Sequence, residues 1–197
     1  MILEGVVTTV NAEGVLNVAP MGPRLDDGFD RFVLRPFRTS TTYRNLKEMR
    51  EGVLHVTDDV LFIAQAAIGK VLDAPVTPAV VVHGQILRDA CRYYEFRVVA
   101  LDDAHERATF TVETVAHGRI RDFFGFNRAK HAVIEAAILA TRVAILPADE
   151  IRHDLERLET IVNKTSGPRE AEAFQLLQAY VRERLRPGFS PAEPRQP

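Results

Sequence analysis

Hydrophobic and polar positions follow a strand period through the first two thirds of the chain and a helix period through the last third. Residues 3–10 are β-branched and apolar, and Val15-Leu16-Asn17-Val18-Ala19-Pro20 follows the turn residues Asn11 and Gly14, a pattern that predicts a hairpin. After the break at Met21-Gly22-Pro23, residues 29–37 predict a strand, 43–50 a short helix ended near Gly52, and 53–57 another strand. Asp58-Asp59 is a capping pair for a helix through Ile68, with Gly69 as its stop. Residues 79–87 and 92–101 again predict strands. In the second of these Tyr94, Phe96 and Val98 share one face and Tyr93, Glu95 and Arg97 the other. A turn at 102–105 leads into 108–116, where Phe110 and Val112 share a parity, as an antiparallel hairpin requires. Strands spaced this way and mostly joined by turns predict a closed or nearly closed antiparallel barrel.

The period changes after Gly125. Residues 128–145 are alanine-rich with apolar positions at helix spacing; Pro147 opens a helix with the stripe Ile151, Leu155, Leu158 and Val162; Gly167-Pro168 breaks it. Phe174, Leu177, Val181 and Leu185 form the stripe of a last helix. The expected class is therefore α+β: a barrel domain over 1–126, a helical subdomain over 127–186 and a disordered proline-rich tail over 187–197.

Composition narrows the function classes. With 197 residues and 46% hydrophobic content, the chain can build one real core plus an extension. The 25 basic and 27 acidic residues nearly cancel, which gives no reason to expect nucleic acid or an anionic membrane as partner. The start lacks a basic segment and a long apolar run, and the most apolar stretch, 133–146, is interrupted by Glu135 and Arg142; a cytoplasmic protein is expected. The lone Cys91 reads as a buried structural thiol.

The chemistry concentrates in Arg35-Pro36-Phe37-Arg38-Thr39-Ser40-Thr41-Thr42-Tyr43-Arg44, where an arginine ends a strand and four hydroxyl residues lead into a helix. A helix start leaves several N–H groups unpaired and carries partial positive charge, so hydroxyls and guanidinium groups added there suit a phosphate monoester. The alternative is a plain N-cap, for which one hydroxyl suffices. The strand exit Ala19-Pro20-Met21-Gly22 is either a simple turn or a place where backbone approaches a planar ligand. In Phe126-Asn127-Arg128-Ala129-Lys130-His131, Asn127 suits an N-cap. Arg128 and Lys130 oppose the helix dipole, either as solvated charge or as cations for an anion or a polar cofactor edge. The six histidines form no His-Glu-x-x-His or other familiar metal spacing, and neither a P-loop, a nucleophile elbow nor a Gly-x-Gly-x-x-Gly occurs. An anion site without chemistry of its own suits a protein whose cofactor carries the reaction.

Asn17-Val18-Ala19-Pro20-Met21-Gly22, then Arg35 to Thr42, then Phe126-Asn127-Arg128-Ala129-Lys130-His131-Ala132-Val133-Ile134-Glu135-Ala136-Ala137 together resemble a family of unknown function found in archaea and some bacteria. The first motif also resembles the Asn-x-Ala-Pro turn of flavin reductase-like proteins. The resemblance implies an FMN-binding split β-barrel with a helical C-terminal extension, usually a homodimer with flavin near the subunit interface. On it, Arg35, Thr39, Ser40 and Thr41, with Arg38 and Thr42 beside them, would hold the FMN phosphate. Backbone at Ala19, Met21 and Gly22 would face the isoalloxazine. Asn127 and Arg128 would close the site, from the same or a neighbouring subunit. The implied activity is FMN-dependent redox chemistry with a reduced nicotinamide or another electron donor and an unidentified substrate. The resemblance also implies an association with tetrahydromethanopterin-linked one-carbon metabolism. The alternative is a non-catalytic protein binding flavin or another phosphorylated metabolite as an accessory factor.

Overall fold

The computed structural model describes residues 1–26, 28–71 and 73–186, so the tail expected to be disordered lies outside the described residues. The chain divides into two compact units. One holds residues 1–57 and 72–123; the other holds 58–71 and the described residues from 124 onward. The helix that begins at Asp58-Asp59, which the sequence places inside the barrel segment, belongs by its packing to the second unit.

The first unit contains strands β1 (Gly5–Val10), β2 (Leu16–Met21), β3 (Arg24–Leu25) and β4 (Arg31–Leu34), helix α1 (Thr41–Met49), and strand β5 (Glu51–Val56). It continues with β6 (Val76–Pro78), β7 (Gln85–Leu87), β8 (Arg92–Asp102) and β9 (Thr109–Arg119). Seven strands form one sheet in the order β2-β1-β5-β8-β9-β4-β3, with every neighbouring pair antiparallel. The sheet returns on itself. Leu25 N–H donates to the Met1 carbonyl at 2.9 Å and Leu3 N–H to the Pro23 carbonyl at 3.1 Å, so the residues preceding β1 pair with the far edge at β3. Register shifts at Glu95/Phe96 and Val98/Ala100 in β8 supply the bending that such closure needs.

The expected parity holds where it matters most. Tyr94, Phe96 and Val98 of β8 and Phe110 and Val112 of β9 enter one buried cluster with Val7, Phe32, Leu34 and Leu54, and α1 adds Tyr43 and Leu46. Phe32 and Phe96 meet edge to face at 5.4 Å between ring centres. Gly52 is required beside them: a Cβ there would stand 2.7 Å from the Phe96 ring and 3.1 Å from the Thr8 carbonyl oxygen.

The predicted strand over 79–87 is not formed. Only Gln85–Leu87 is extended within it, paired with β6, and the preceding valines form a loop. The reason is Glu95, fully buried on β8: its carboxylate accepts from the backbone N–H groups of Val80 (2.9 Å), Val81 (2.7 Å) and Val82 (2.9 Å). Three amides aimed at one carboxylate cannot also serve a strand ladder. His55 on β5 performs a related task on the same covering segment. Its Nε2 accepts from Leu87 N–H at 3.0 Å, which leaves Nδ1 to donate to the Val6 carbonyl at 3.2 Å. Burial lowers its pKa from 6.5 to about 4, so the ring is neutral.

The second unit contains α2 (Val60–Ala67), α3 (Arg128–Thr141), α4 (Ala148–Thr165) and α5 (Pro168–Arg184). Asp59 caps α2 by accepting from Phe62 N–H, and Asn127 caps α3 by accepting from Lys130 N–H. The predicted apolar stripes form the core: Ala132, Val133, Ala136, Ile151, Leu155, Phe174 and Leu177 pack in one cluster with Leu61 and Ala64 of α2. Helix α3 stops at Thr141 rather than near Ile145. Ile145, which is 72% exposed, gains no burial by continuing it, and Pro147 disfavours helical backbone at Leu146.

Candidate functional site

Residues 35–44 run from the end of β4 into α1, and the local polar chemistry decides which groups face outward. Ser40 is the N-cap of α1: its Oγ accepts from Tyr43 N–H at 3.1 Å and donates to the Phe37 carbonyl at 2.7 Å. Its hydroxyl, expected to hold phosphate, is thus already engaged in building the turn. Arg44 folds back over the hydroxyl run, donating to the Thr39 carbonyl and to Thr41 Oγ1, each at 2.9 Å. Thr42 is fully buried. Thr39 and Arg38 are exposed, and Arg35 and Thr41 half-buried. The Arg35 guanidinium makes no hydrogen bond or ion pair among the described residues.

The β8–β9 turn lies against this segment. Arg38 N–H donates to the Glu106 carbonyl at 3.0 Å, and the Arg107 guanidinium stacks 4.0 Å from the centre of the Phe37 ring. Asp103 accepts from Tyr43 Oη and Lys47 Nζ, both at 2.8 Å. Those hydrogen bonds, Lys47 first, hold its carboxyl below the usual range, and the nearby Arg38 charge adds to the effect. The result is a helix start surrounded by cations, where one capped amide leaves the other first-turn N–H groups without helical partners.

Strand β2 is tied to that helix start. Asn17 Nδ2 donates to Thr42 Oγ1 at 3.0 Å and to Thr9 Oγ1 at 3.2 Å, and Asn45 Nδ2 donates to Thr9 Oγ1 at 3.1 Å. Thr9 and Asn45 are buried with Thr42. The two segments singled out in the sequence are therefore joined inside one unit. Ala19 lies within β2, Met21 ends it and Gly22 follows, with Ala19 opposite Val7 and Met21 opposite Gly5 on β1. Ala19 is buried; Met21 is half-buried and Gly22 exposed, in reach of an approaching ligand. Asn17 opens the first motif, yet the sequence alone assigns it no role. A carboxamide among the apolar residues of a strand is the signal that could have found it.

Asn127 and Arg128 stand in the other unit. Asn127 is taken up structurally: besides capping α3 it donates from Nδ2 to the Thr165 carbonyl at 3.0 Å. Arg128 is exposed and lines an open, mostly apolar cavity of about 380 Å³ with Phe126, His131, Ala132, Leu158 and Ile161. Lys130 is half-buried and engaged within its own unit. It pairs with Glu170 at 3.0 Å, donates to the Asp58 carbonyl at 2.7 Å and lies 5.7 Å from the centre of the Phe124 ring. Burial alone would raise the Glu170 carboxyl. The Lys130 ammonium and the Glu170 and Gly167 backbone amides instead hold it below its ordinary value.

The sequence model of DUF447, a protein family of unknown function, matches over residues 3–121 for its N-terminal domain and 127–179 for its C-terminal domain. No curated protein matches the chain. Among solved structures, the FMN-bound DUF447 protein MM1853 of Methanosarcina mazei is similar at 19% identity, with a TM-score of 0.79, over 91% of this chain and 94% of that one. An FMN-binding protein of Thermus thermophilus with bound p-hydroxybenzaldehyde is similar at 17% identity and TM-score 0.52, over 59% of this chain and 71% of that one. The flavin reductase HpaC, complexed with NADP+, is similar at 18% identity and TM-score 0.54, over 64% of this chain and 83% of that one. These likenesses establish the fold: an α+β chain built on the flavin reductase-like split barrel.

Proposed function

The chain belongs to the DUF447 family, and from that premise we propose that its barrel unit binds FMN and works as a flavin-dependent oxidoreductase. The observation that carries the reading is the start of α1, where the half-buried Arg35 guanidinium has no partner among the described residues and the Thr41 and Thr42 amides have no helical partner. A dianionic phosphate monoester satisfies both. The residues present fit the group: Arg35, Thr39 and Thr41 would hold the phosphate, and Arg38 adds long-range attraction. Backbone at Ala19, Met21 and Gly22 would lie along the ring system. Ser40 and Thr42 act behind this surface, the first as the cap and the second as an anchor for the helix start. Bound FMN supplies reversible acceptance of hydride or single electrons. The chain's own part is to bind, orient and shield.

The similar structures that bind FMN support the same reading. We extend it to a cytoplasmic homodimer that takes electrons from a reduced nicotinamide or a comparable donor. Arg128 would then be presented to a second subunit. A place beside tetrahydromethanopterin-linked one-carbon chemistry follows from family resemblance alone. The test is the visible absorption spectrum of the purified full chain, before and after adding FMN, followed by anaerobic reduction with NADH or NADPH. Bound flavin that a donor reduces is the expected result. Flavin that binds but accepts electrons from no donor would favour the accessory-protein alternative, and absence of binding would overturn the flavin reading.

A further inference from the structure

We infer that Asn17 is a positioning residue of the flavin site: it holds the phosphate half and the ring half of the site in register, without touching the cofactor. The inference deepens the flavin reading of the barrel unit and rests on it. Three observations carry it. Asn17 lies on β2, two residues before Ala19 and four before Met21, the backbone proposed to face the ring. Its carboxamide bonds to Thr42 Oγ1 at 3.0 Å, in the first turn of α1, and to Thr9 Oγ1 at 3.2 Å on β1. Asn45, one turn further along α1, bonds the same Thr9 hydroxyl at 3.1 Å, so α1 is fixed to the sheet at two points on one face.

The chemistry of the three partners makes this more than general glue. Thr42 is 0% exposed, Thr9 1% and Asn45 5%, and each makes a side-chain hydrogen bond within this network. Apolar side chains of the same size would pack a helix against a sheet with no buried polar groups to satisfy. A hydrogen-bonded network instead specifies one placement, because a small slide of α1 along β2 breaks the bonds of Asn17 to the buried hydroxyls of Thr42 and Thr9. A site that grips a ligand at both ends depends on that placement: with one end of the ligand held, a shift of about 1 Å at the other puts its donors out of hydrogen-bond reach.

The consequence is specific. FMN engages both halves, whereas riboflavin, which lacks the phosphate, engages only the ring half. Loss of the Asn17 bond should therefore reduce the preference for FMN over riboflavin rather than weaken both alike. The experiment is fluorescence titration of the full-length apoprotein with FMN and with riboflavin, for wild type, Asn17→Ala, Thr42→Val and the double variant. Thr42→Val keeps the side-chain shape and breaks the same bond from the other side, so it serves if Asn17→Ala folds poorly. The expected result is FMN affinity reduced about tenfold in each single variant, riboflavin affinity changed less than about twofold, and a double variant no worse than the poorer single. Equal loss for both ligands, no loss for FMN, or additive losses in the double variant would overturn the assignment while leaving the flavin reading intact. Wild-type protein that binds neither ligand would overturn both.

Discussion

The barrel unit and the helical unit bury different chemistry. Among the described residues, the buried polar side chains Thr8, Thr9, Ser40, Thr42, Asn45, His55, Thr57 and Glu95 belong to the barrel, and Asp58 alone to the helices. The helical core is instead alanine, leucine, isoleucine, valine and phenylalanine. Apolar packing of that kind tolerates exchange of one hydrophobe for another of similar volume. Buried polar groups do not, because each must keep its partner. The barrel thus fixes its backbone partly by buried hydrogen bonds, and the helical unit is held by apolar packing.

The contrast can be broken most directly at Glu95. Glu95→Ala removes the buried acceptor shared by the Val80, Val81 and Val82 amides, and we expect the barrel to lose about 4 kcal/mol, read by chemical denaturation, with exchange protection lost across those amides. A loss under about 1 kcal/mol would mean water replaces the carboxylate without cost. In the helical core, Leu177→Ala should cost about 3 kcal/mol but Leu177→Met less than about 1.5, since only volume is at stake there.

The unfolded His55 ring takes a proton below 6.5 and the folded ring only below about 4. Between those values the unfolded chain binds more protons, so stability present above pH 6.5 falls as the solution is acidified. The whole window is worth about 3 kcal/mol. Glu170 acts lower down: its folded pKa lies below 4.5, so its contribution is present above that value and is lost on further acidification. His55→Gln should flatten the stability curve between pH 4 and 6.5, and an unchanged slope would remove His55 as its cause. The smallest effect is expected at the half-buried latch of the helical unit. Lys130→Met should cost about 1 kcal/mol, because the methionine stem keeps the packing while the pair with Glu170 is lost.

The same division explains what could be read from the sequence. Periodicity and caps are local, so the β8–β9 hairpin, α1 behind its hydroxyl run, and the Asp59 and Asn127 caps are all legible in the chain alone. The loop at 79–84 is not, because its shape is dictated by a carboxylate at least 13 positions away in sequence, and β-branched residues alone imply a strand. Closure through β3 is equally hidden: it depends on two residues pairing with the extreme N-terminus. At the site, the cations and the helix start are visible as composition. The roles of Ser40 and Thr42 are not. Four hydroxyls in a row look alike until the fold turns one to cap, one inward to Asn17 and the others toward the surface.

The central claim is that the start of α1 receives the phosphate of FMN with Arg35 as its principal cation. Isothermal titration of FMN into wild-type and Arg35→Ala apoprotein tests it most directly. Loss of one charge-assisted contact, about 1.5–3 kcal/mol, predicts affinity at least tenfold weaker with the fold intact by circular dichroism. FMN affinity unchanged by the substitution would contradict the account and move the phosphate elsewhere.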